Sequence, residues 1–368
     1  MVPLPSPLVK IVSRLESSMK LNLRQNWRIG AVEIPSRLAL APMAGVSVRA
    51  YRSQAKRFGA GLVWSEMVSA AGIEHGSRRT REYLRVSCGD HPIALQIFGS
   101  EPAQAAEAAR MAEAAGADLV DLNLGCPVRK VMKSGAGAAL LEQPELACRI
   151  VEKMAAAISV PVTVKLRSGI EPGSRTCIEL GPRLAAAGAQ ALILHPRAQR
   201  QMYGGSSDHA LTAELASLLE IPVVASGDVR SSEQARALIA AGAAAVMIGR
   251  AAQGNPWLLS EILSGKRLEP SQAEVAAELI HFMREVAREL GERRAQSFLK
   301  KFYGWYLRRG EFPRQLRREL VDVPTLSSVE RLLLEAAPGA EPLVAELEVT
   351  YSNSIGVATE PPTAPPLA

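Results

Sequence analysis

The stretch Ala114–Leu124, AAGADLVDLNL, ends a helix on alanine, turns on glycine and enters an apolar run. The same phrase returns as AAGAQALILH at Ala186–His195 and as AAGAAAVMIG at Ala240–Gly249. Alanine has the best helix propensity, and glycine is the usual residue just past a helix end. Each phrase therefore reads as helix, A-G-A turn, buried strand. Five further runs fall into step with these three: RLALAPM from Arg37, GLVWSEM from Gly61, PIALQIF from Pro92, VPVTVKLR from Val160 and IPVVASG from Ile221. Most are continuously apolar, as strands covered on both faces are. Helices are predicted between them, for instance over Glu101–Ala115, Pro144–Ile158, Ile178–Ala187 and Ser231–Ala241. Eight β/α units predict a (β/α)8 TIM barrel of the α/β class. A doubly wound sheet would need fewer strands and a G-x-G-x-x-G loop after the first, and no such loop follows Met43.

Past Ala251 the pattern changes. From about Ser260 to Ala336 only helical periodicity remains, and basic and aromatic residues crowd into ERRAQSFLKKFYGWYLRRGEFPRQLRREL, Glu292–Leu320. The predicted division is an N-terminal extension at 1–30, poorly ordered, with Met19 an alternative start; a barrel at 31–258; a small all-helical domain at 259–338; and a tail at 339–368 that ends in a disordered, Pro-rich TEPPTAPPLA. The first residues have no long apolar core or small-residue cleavage site of a signal peptide.

The bulk numbers are ordinary for a soluble globular protein. Of 368 residues, 48% are hydrophobic and 22% charged, and the net charge is +6. No run reaches the ~18 apolar residues of a membrane span. The four cysteines form no C-x-x-C pair and the histidines no H-x-x-x-H pair. A disulfide framework or a metal site is therefore not expected, and a reducing cytoplasm fits.

Active sites of such barrels form where the strands end. Reading those ends in order gives Pro42-Met43-Ala44, Ser65-Glu66, Gln96, Asn123-Leu124-Gly125-Cys126-Pro127, Lys165 with Arg167, His195-Pro196-Arg197, Ser226-Gly227-Asp228 and Gly249-Arg250. Loops after strands seven and eight of barrels commonly hold phosphate. Gly227 and Gly249 let backbone N–H groups approach an anion, and Arg250 adds charge. Lys165 has two readings: a salt bridge to Glu66 or Asp121, or a cation against the pyrimidine end of a flavin. His195 is either a satisfied core residue or a donor to the flavin or the substrate. Cys126 sits where a strand stops. Pro127 keeps it out of helical conformation, and no sequence-local histidine is there to activate it. A thiol with an ordinary pKa near 8.5 is mostly protonated at neutrality and can serve as an acid. Lys130 and Lys133 follow it and can pair with phosphates or depress the thiol pKa. Cys148 reads as a helix-core residue, Cys88 and Cys177 as incidental.

In order, PMAG, SEMVSA, LQIFGSEP, NLGCPVRKVMKSGAGAALL, PVTVKLRSG, QMYGG, SGD and VMIGRAAQGNPW resemble the tRNA-dihydrouridine synthase family, most of all its bacterial B-type subgroup. The likeness is close from Arg37 to Leu259. It implies an FMN-binding barrel with a helical tRNA-binding domain that reduces uridine to 5,6-dihydrouridine in tRNA, with NADPH or NADH as reductant. Carried over by residue, it implies FMN contacts at Pro42, Met43, Ala44, Gln96, Lys165 and His195, and at Ser226, Gly227, Asp228, Gly249 and Arg250 on the phosphate side. It further implies a proton donor at Cys126 and a uracil contact at Asn123. Two departures stand out: Ser226 where the family usually has Asn, and His195-Pro196-Arg197-Ala198-Gln199 where it usually has H-G-R-T-R. The second places Arg197 among the residues expected to meet the nucleotide. Lys130, Lys133, Arg293, Lys300 and Lys301 are expected to grip tRNA, with the aromatics beside them either stacking or forming core. A monomer is expected. Two other readings stay open: an FMN-dependent dihydroorotate- or dihydropyrimidine-type dehydrogenase acting on free pyrimidines, and a non-catalytic RNA-binding barrel.

Overall fold

A computed structural model describes residues 22–74 and 82–341. The expected tail beyond 341 and the first 21 residues of the expected extension lie outside the described residues. All eight expected runs are strands: β3 (Leu38–Leu40), β4 (Leu62–Trp64), β6 (Ile93–Phe98), β7 (Leu119–Leu124), β8 (Val162–Arg167), β9 (Ala191–His195), β10 (Val223–Ser226) and β11 (Ala245–Ile248). They pair in parallel and in order, and β11 closes onto β3. A two-residue strand, β5 (Val68–Ser69), adds a short pairing along β6. The expected helices form at Pro102–Ala114, Pro144–Ala155, Thr176–Ala186 and Ser232–Ala240.

Part of the expected extension is ordered. β1 (Trp27–Ile29) and β2 (Val32–Ile34) make an antiparallel hairpin whose Trp27, Ile29 and Ile34 pack with Ala39, Leu62, Trp64, Ala94, Leu119 and Met247. The strand residues of that cluster point into the barrel, so the hairpin plugs its N-terminal end. A second, larger core lies between the strands and the outer helices and continues into the helical domain.

Helix Trp257–Ser264, with Leu259, Ile262 and Leu263 buried, packs beside Ser232–Ala240 as the barrel's eighth helix. The expected boundary at 258/259 falls inside it. Four helices follow: Gln272–Leu290, Glu292–Arg309, Arg314–Asp322 and Leu326–Ala336. The first two dock on helix Arg49–Arg57. Glu289 accepts the backbone N–H of Arg49 and Ala50, both at 2.9 Å, and so caps the positive end of that helix. Arg57 and Gln54 both bind Glu278. Tyr51 meets the rings of Phe282 and Phe302. Phe302, Tyr303 and Tyr306 are fully buried, so these aromatics are core rather than stacking surfaces.

Candidate active site

The barrel interior has two levels. Below, it is apolar up to Trp64, Ala94, Leu119 and Ile193. One strand pleat higher it turns polar: Gln96, Asp121, Asn123, Thr163 and Lys165 stand on adjacent strands in register. Above this polar layer opens a cavity of about 480 Å³. Cys126, Asn123 and every residue expected to touch the cofactor line it together: Pro42, Met43, Ala44, Gln96, Lys165, His195, Ser226, Gly227, Asp228, Gly249 and Arg250.

The polar layer is wired in one direction. Thr163 Oγ1 donates to Asp121 at 2.6 Å, and Gln96 Nε2 donates to its other carboxylate oxygen at 2.7 Å. Gln96 Oε1 accepts from Asn123 Nδ2 at 2.9 Å. Asn123 Oδ1 then accepts the backbone N–H of Gly125 at 3.0 Å and of Cys126 at 2.8 Å, which fixes the turn carrying the thiol. Burial raises the Asp121 carboxyl to about 6 against the lowering pull of Gln96, Thr163 and Lys165. Burial lowers Lys165 to about 8, helped by Arg167 and opposed by Asp121 and Cys126. Lys165 thus lines the cavity, and its charge is coupled to that of Asp121.

Cys126 is 9% exposed and packs with Val131, Ala136, Met67 and Phe98. Burial pushes its thiol above the ordinary range, against the backbone N–H of Val128 and the charges of Arg167 and Lys165. Lys130 and Lys133 are exposed and are not among the groups that move it.

His195 is held neutral. Burial, then Lys165, Arg167, Arg197 and Arg250, push it down to about 2. Its Nε2 accepts from Arg197 at 3.3 Å, which leaves Nδ1–H as the ring's donor. Gly227 holds φ +105°, and a Cβ there would stand 2.6 Å from His195 Cδ2 and 2.4 Å from Ser207 Oγ. Only glycine lets that strand end pass so close.

Arg197, expected to contact the nucleotide, is held within the protein. The side chain is 2% exposed and all five of its N–H groups are used: on Gly204 O, Gly205 O, Ser207 Oγ, His195 Nε2 and Asp228. It ties the QMYGG loop to the end of β10, and the Asp228 carboxylate is spent on it. Lys301 is also committed. Its ammonium donates to the carbonyl of Gly45, next to cavity-lining Ala44, and lies 3.9 Å over the Phe298 ring. Lys300 and Arg293 are exposed, as is Arg294, although Arg294 pairs with Glu82.

Sequence reading gave no role to several residues found here. Arg167 binds Gly125 O, Ala198 O and Met202 O, each at 2.9 Å, and so links the cysteine turn to the QMYGG loop. Tyr203, half exposed, covers Arg250 with 4.4 Å between guanidinium and ring. Its signal was the QMYGG motif itself, an aromatic between glycines in a loop. Arg230 and Gln253 complete the wall.

Among these lining residues Lys165, Arg167, Arg230 and Arg250 are cationic, while the one carboxylate, Asp228, is neutralised by Arg197. Ala41, Pro42, Met43, Met67 and Met247 give the cavity an apolar wall as well. A wall of each kind fits a ligand with a flat apolar ring and an anionic tail.

The dihydrouridine synthase family model matches residues 39–340. The tRNA-dihydrouridine synthase B of Pseudomonas aeruginosa is 39% identical over 286 residues, covering 76% of this chain and 86% of that protein. Its Salmonella typhimurium counterpart is 37% identical over 299 residues, covering 79% and 92%. Among solved structures, an old yellow enzyme homologue from Zymomonas mobilis superposes with a TM-score of 0.52 at 17% identity. It covers 67% of this chain and 94% of that one, which shows a shared fold.

Proposed function

The chain belongs to the dihydrouridine synthase family, and from that premise we propose that it reduces uridine in tRNA to 5,6-dihydrouridine with a flavin at the barrel mouth. The flavin is FMN, re-reduced by NADPH or NADH. The single observation that carries the reading is a buried thiol on the wall of a cationic and apolar cavity. Reduced FMN, when bound, supplies the hydride for C6 of the base. The chain does the rest.

Pro42, Met43 and Ala44 bear on the ring. Gln96 and Lys165 meet its pyrimidine edge, where a cation stabilises negative charge. His195 offers Nδ1–H. Ser226, Gly227, Gly249 and Arg250 take the phosphate, and Asp228 serves that side through Arg197. Adding hydride at C6 leaves charge that must be quenched at C5, and Cys126 Sγ gives up its proton there. A raised pKa keeps that proton in place through neutrality, as an acid requires and a nucleophile does not. Asn123 has spent its carbonyl on the cysteine turn, so toward the uracil it presents an N–H.

A stacked uridine cannot reach such a cavity and must be flipped out of the RNA. Lys130 stands on the short helix Arg129–Met132 after Cys126, and Lys133 at its end. Lys300 lies on the helix whose Lys301 touches Gly45, so basic residues flank the mouth from two domains. The helical domain, from Gln272 on, grips tRNA through exposed Arg293, Lys300, Arg308, Arg314 and Arg318.

Incubating the enzyme and NADPH with tRNA that lacks dihydrouridine, then mapping the modified base, tests the proposal. Dihydrouridine at a defined position is expected. Turnover of free uracil or dihydroorotate, with none on tRNA, would overturn it in favour of the free-pyrimidine dehydrogenase.

A further inference from the structure

Asp121 is a carboxylate with no exposed surface, inside a barrel, and it does not line the cavity. Buried carboxylates are costly to a fold, so its presence calls for a reason. Its position supplies one. When ionised, it is the only member of the Thr163–Asp121–Gln96–Asn123 chain that can accept and never donate. It therefore dictates which way round its neighbours sit. The Gln96 amide must turn Nε2 toward Asp121, as it does at 2.7 Å. Gln96 Oε1 then faces Asn123 and requires Nδ2 there. Asn123 Oδ1 is thereby left facing the two backbone N–H groups of Gly125 and Cys126. Reversing Gln96 would set acceptor against acceptor at Asp121 and donor against donor at Asn123; reversing Asn123 would set donor against donor at the cysteine turn.

We infer that Asp121 is a positioning residue: through the side-chain amides of Gln96 and Asn123 it fixes the Gly125–Cys126 turn and hence the place of the thiol. Asp121 touches neither thiol nor substrate. It acts two hydrogen bonds upstream of the asparagine that holds the turn. As regards catalysis, the inference rests on the proton-donor reading of Cys126. Its geometric content does not.

The test uses the thiol itself. Iodoacetamide labelling of the full-length protein, resolved by peptide mass spectrometry, reports Cys126 and Cys177 separately. Cys177 is fully buried in the outer core and reports any general loosening. Asp121→Leu keeps the side-chain shape and removes the acceptor. It is expected to raise Cys126 labelling about tenfold while Cys177 stays at its wild-type rate. Asp121→Asn can still turn Oδ1 to Gln96 and Nδ2 to the Thr163 hydroxyl, and should stay within about twofold of wild type. Gln96→Met cuts the chain in the middle with Asp121 untouched, and should reproduce the Leu result even where Asp121→Leu fails to fold. Wild-type Cys126 labelling in Gln96→Met, or a parallel rise of Cys177, would overturn the inference. On tRNA, Asp121→Leu should lower kcat with KM unchanged. A wild-type enzyme inactive on tRNA would sink the proposed function while leaving the labelling result to judge Asp121.

Discussion

The two levels of the barrel interior are built from the same strands, one pleat apart, and serve opposite ends. On β6, Ala94 belongs to the lower layer and Gln96 to the upper; on β7, Leu119 to the lower and Asp121 and Asn123 to the upper; on β9, Ile193 to the lower and His195 to the rim. The lower layer excludes water and is sealed by the Trp27–Ile34 hairpin. The upper layer keeps a carboxylate, two amides and an ammonium away from bulk water. Stability comes from the first and is spent in the second, which holds ionised groups in geometries that water would not preserve.

Mutations at the two levels should therefore separate stability from chemistry. The largest effect on folding is expected at Trp64, which is fully buried at the centre of the lower layer. Trp64→Ala should cost about 3–5 kcal/mol in denaturant unfolding. A loss below about 1 kcal/mol would mean the lower layer is not the stabilising one. Asp121→Asn should go the other way. The folded-state pKa of this acid is raised to about 6, above the ordinary value near 4. The native state therefore holds its proton more tightly than the unfolded chain does. The contribution of this group to stability should be most favourable below pH 4, fall as pH rises from about 4 to 6, and level off above. Asp121→Asn removes that slope and at pH 7 should be the more stable by roughly 2–3 kcal/mol. Unfolding curves across that range decide it, and a variant less stable than wild type at pH 7 would contradict the assignment of cost to the upper layer.

Gly227→Ala should leave the lower layer intact but force His195 and Ser207 aside. Flavin should then be lost on purification, roughly a tenfold weaker binding by absorbance titration. The smallest effect is expected at the periphery. Lys300→Glu should weaken tRNA binding a few-fold and lower the salt slope by about one. Lys301→Glu, tied to Gly45, should also disturb flavin binding. Equal behaviour of the two variants would mean that Lys301 is not a strut.

The sequence made the barrel legible because most strands were continuous apolar runs and each helix before an A-G-A turn was rich in alanine. It hid the hairpin, whose strands Trp27–Ile29 and Val32–Ile34 are too short to show a period. Strand ends revealed the lining of the cavity because a barrel sends those ends to one rim. Arg197 was less legible: nothing in H-P-R-A-Q discloses that backbone carbonyls seven and eight residues on engage its guanidinium. The same reasoning did not rank Asp121 above a salt-bridge partner because the Gln96–Asn123 hydrogen bond joins two separate strands, 27 residues apart, which no local pattern discloses. It left the aromatics of Glu292–Arg309 undecided because core and stacking rings share one helical spacing, and only the packing on Tyr51 and Phe282 places them in the core.

The account turns on the proton held by Cys126. The direct measurement is stopped-flow on Cys126→Ala, with the flavin absorbance followed first on adding NADPH and then on adding unmodified tRNA. Reduction by NADPH should run at the wild-type rate, and reoxidation by tRNA should slow by about 10²–10⁴-fold. Reoxidation at the wild-type rate would contradict the assignment of the acid to this thiol.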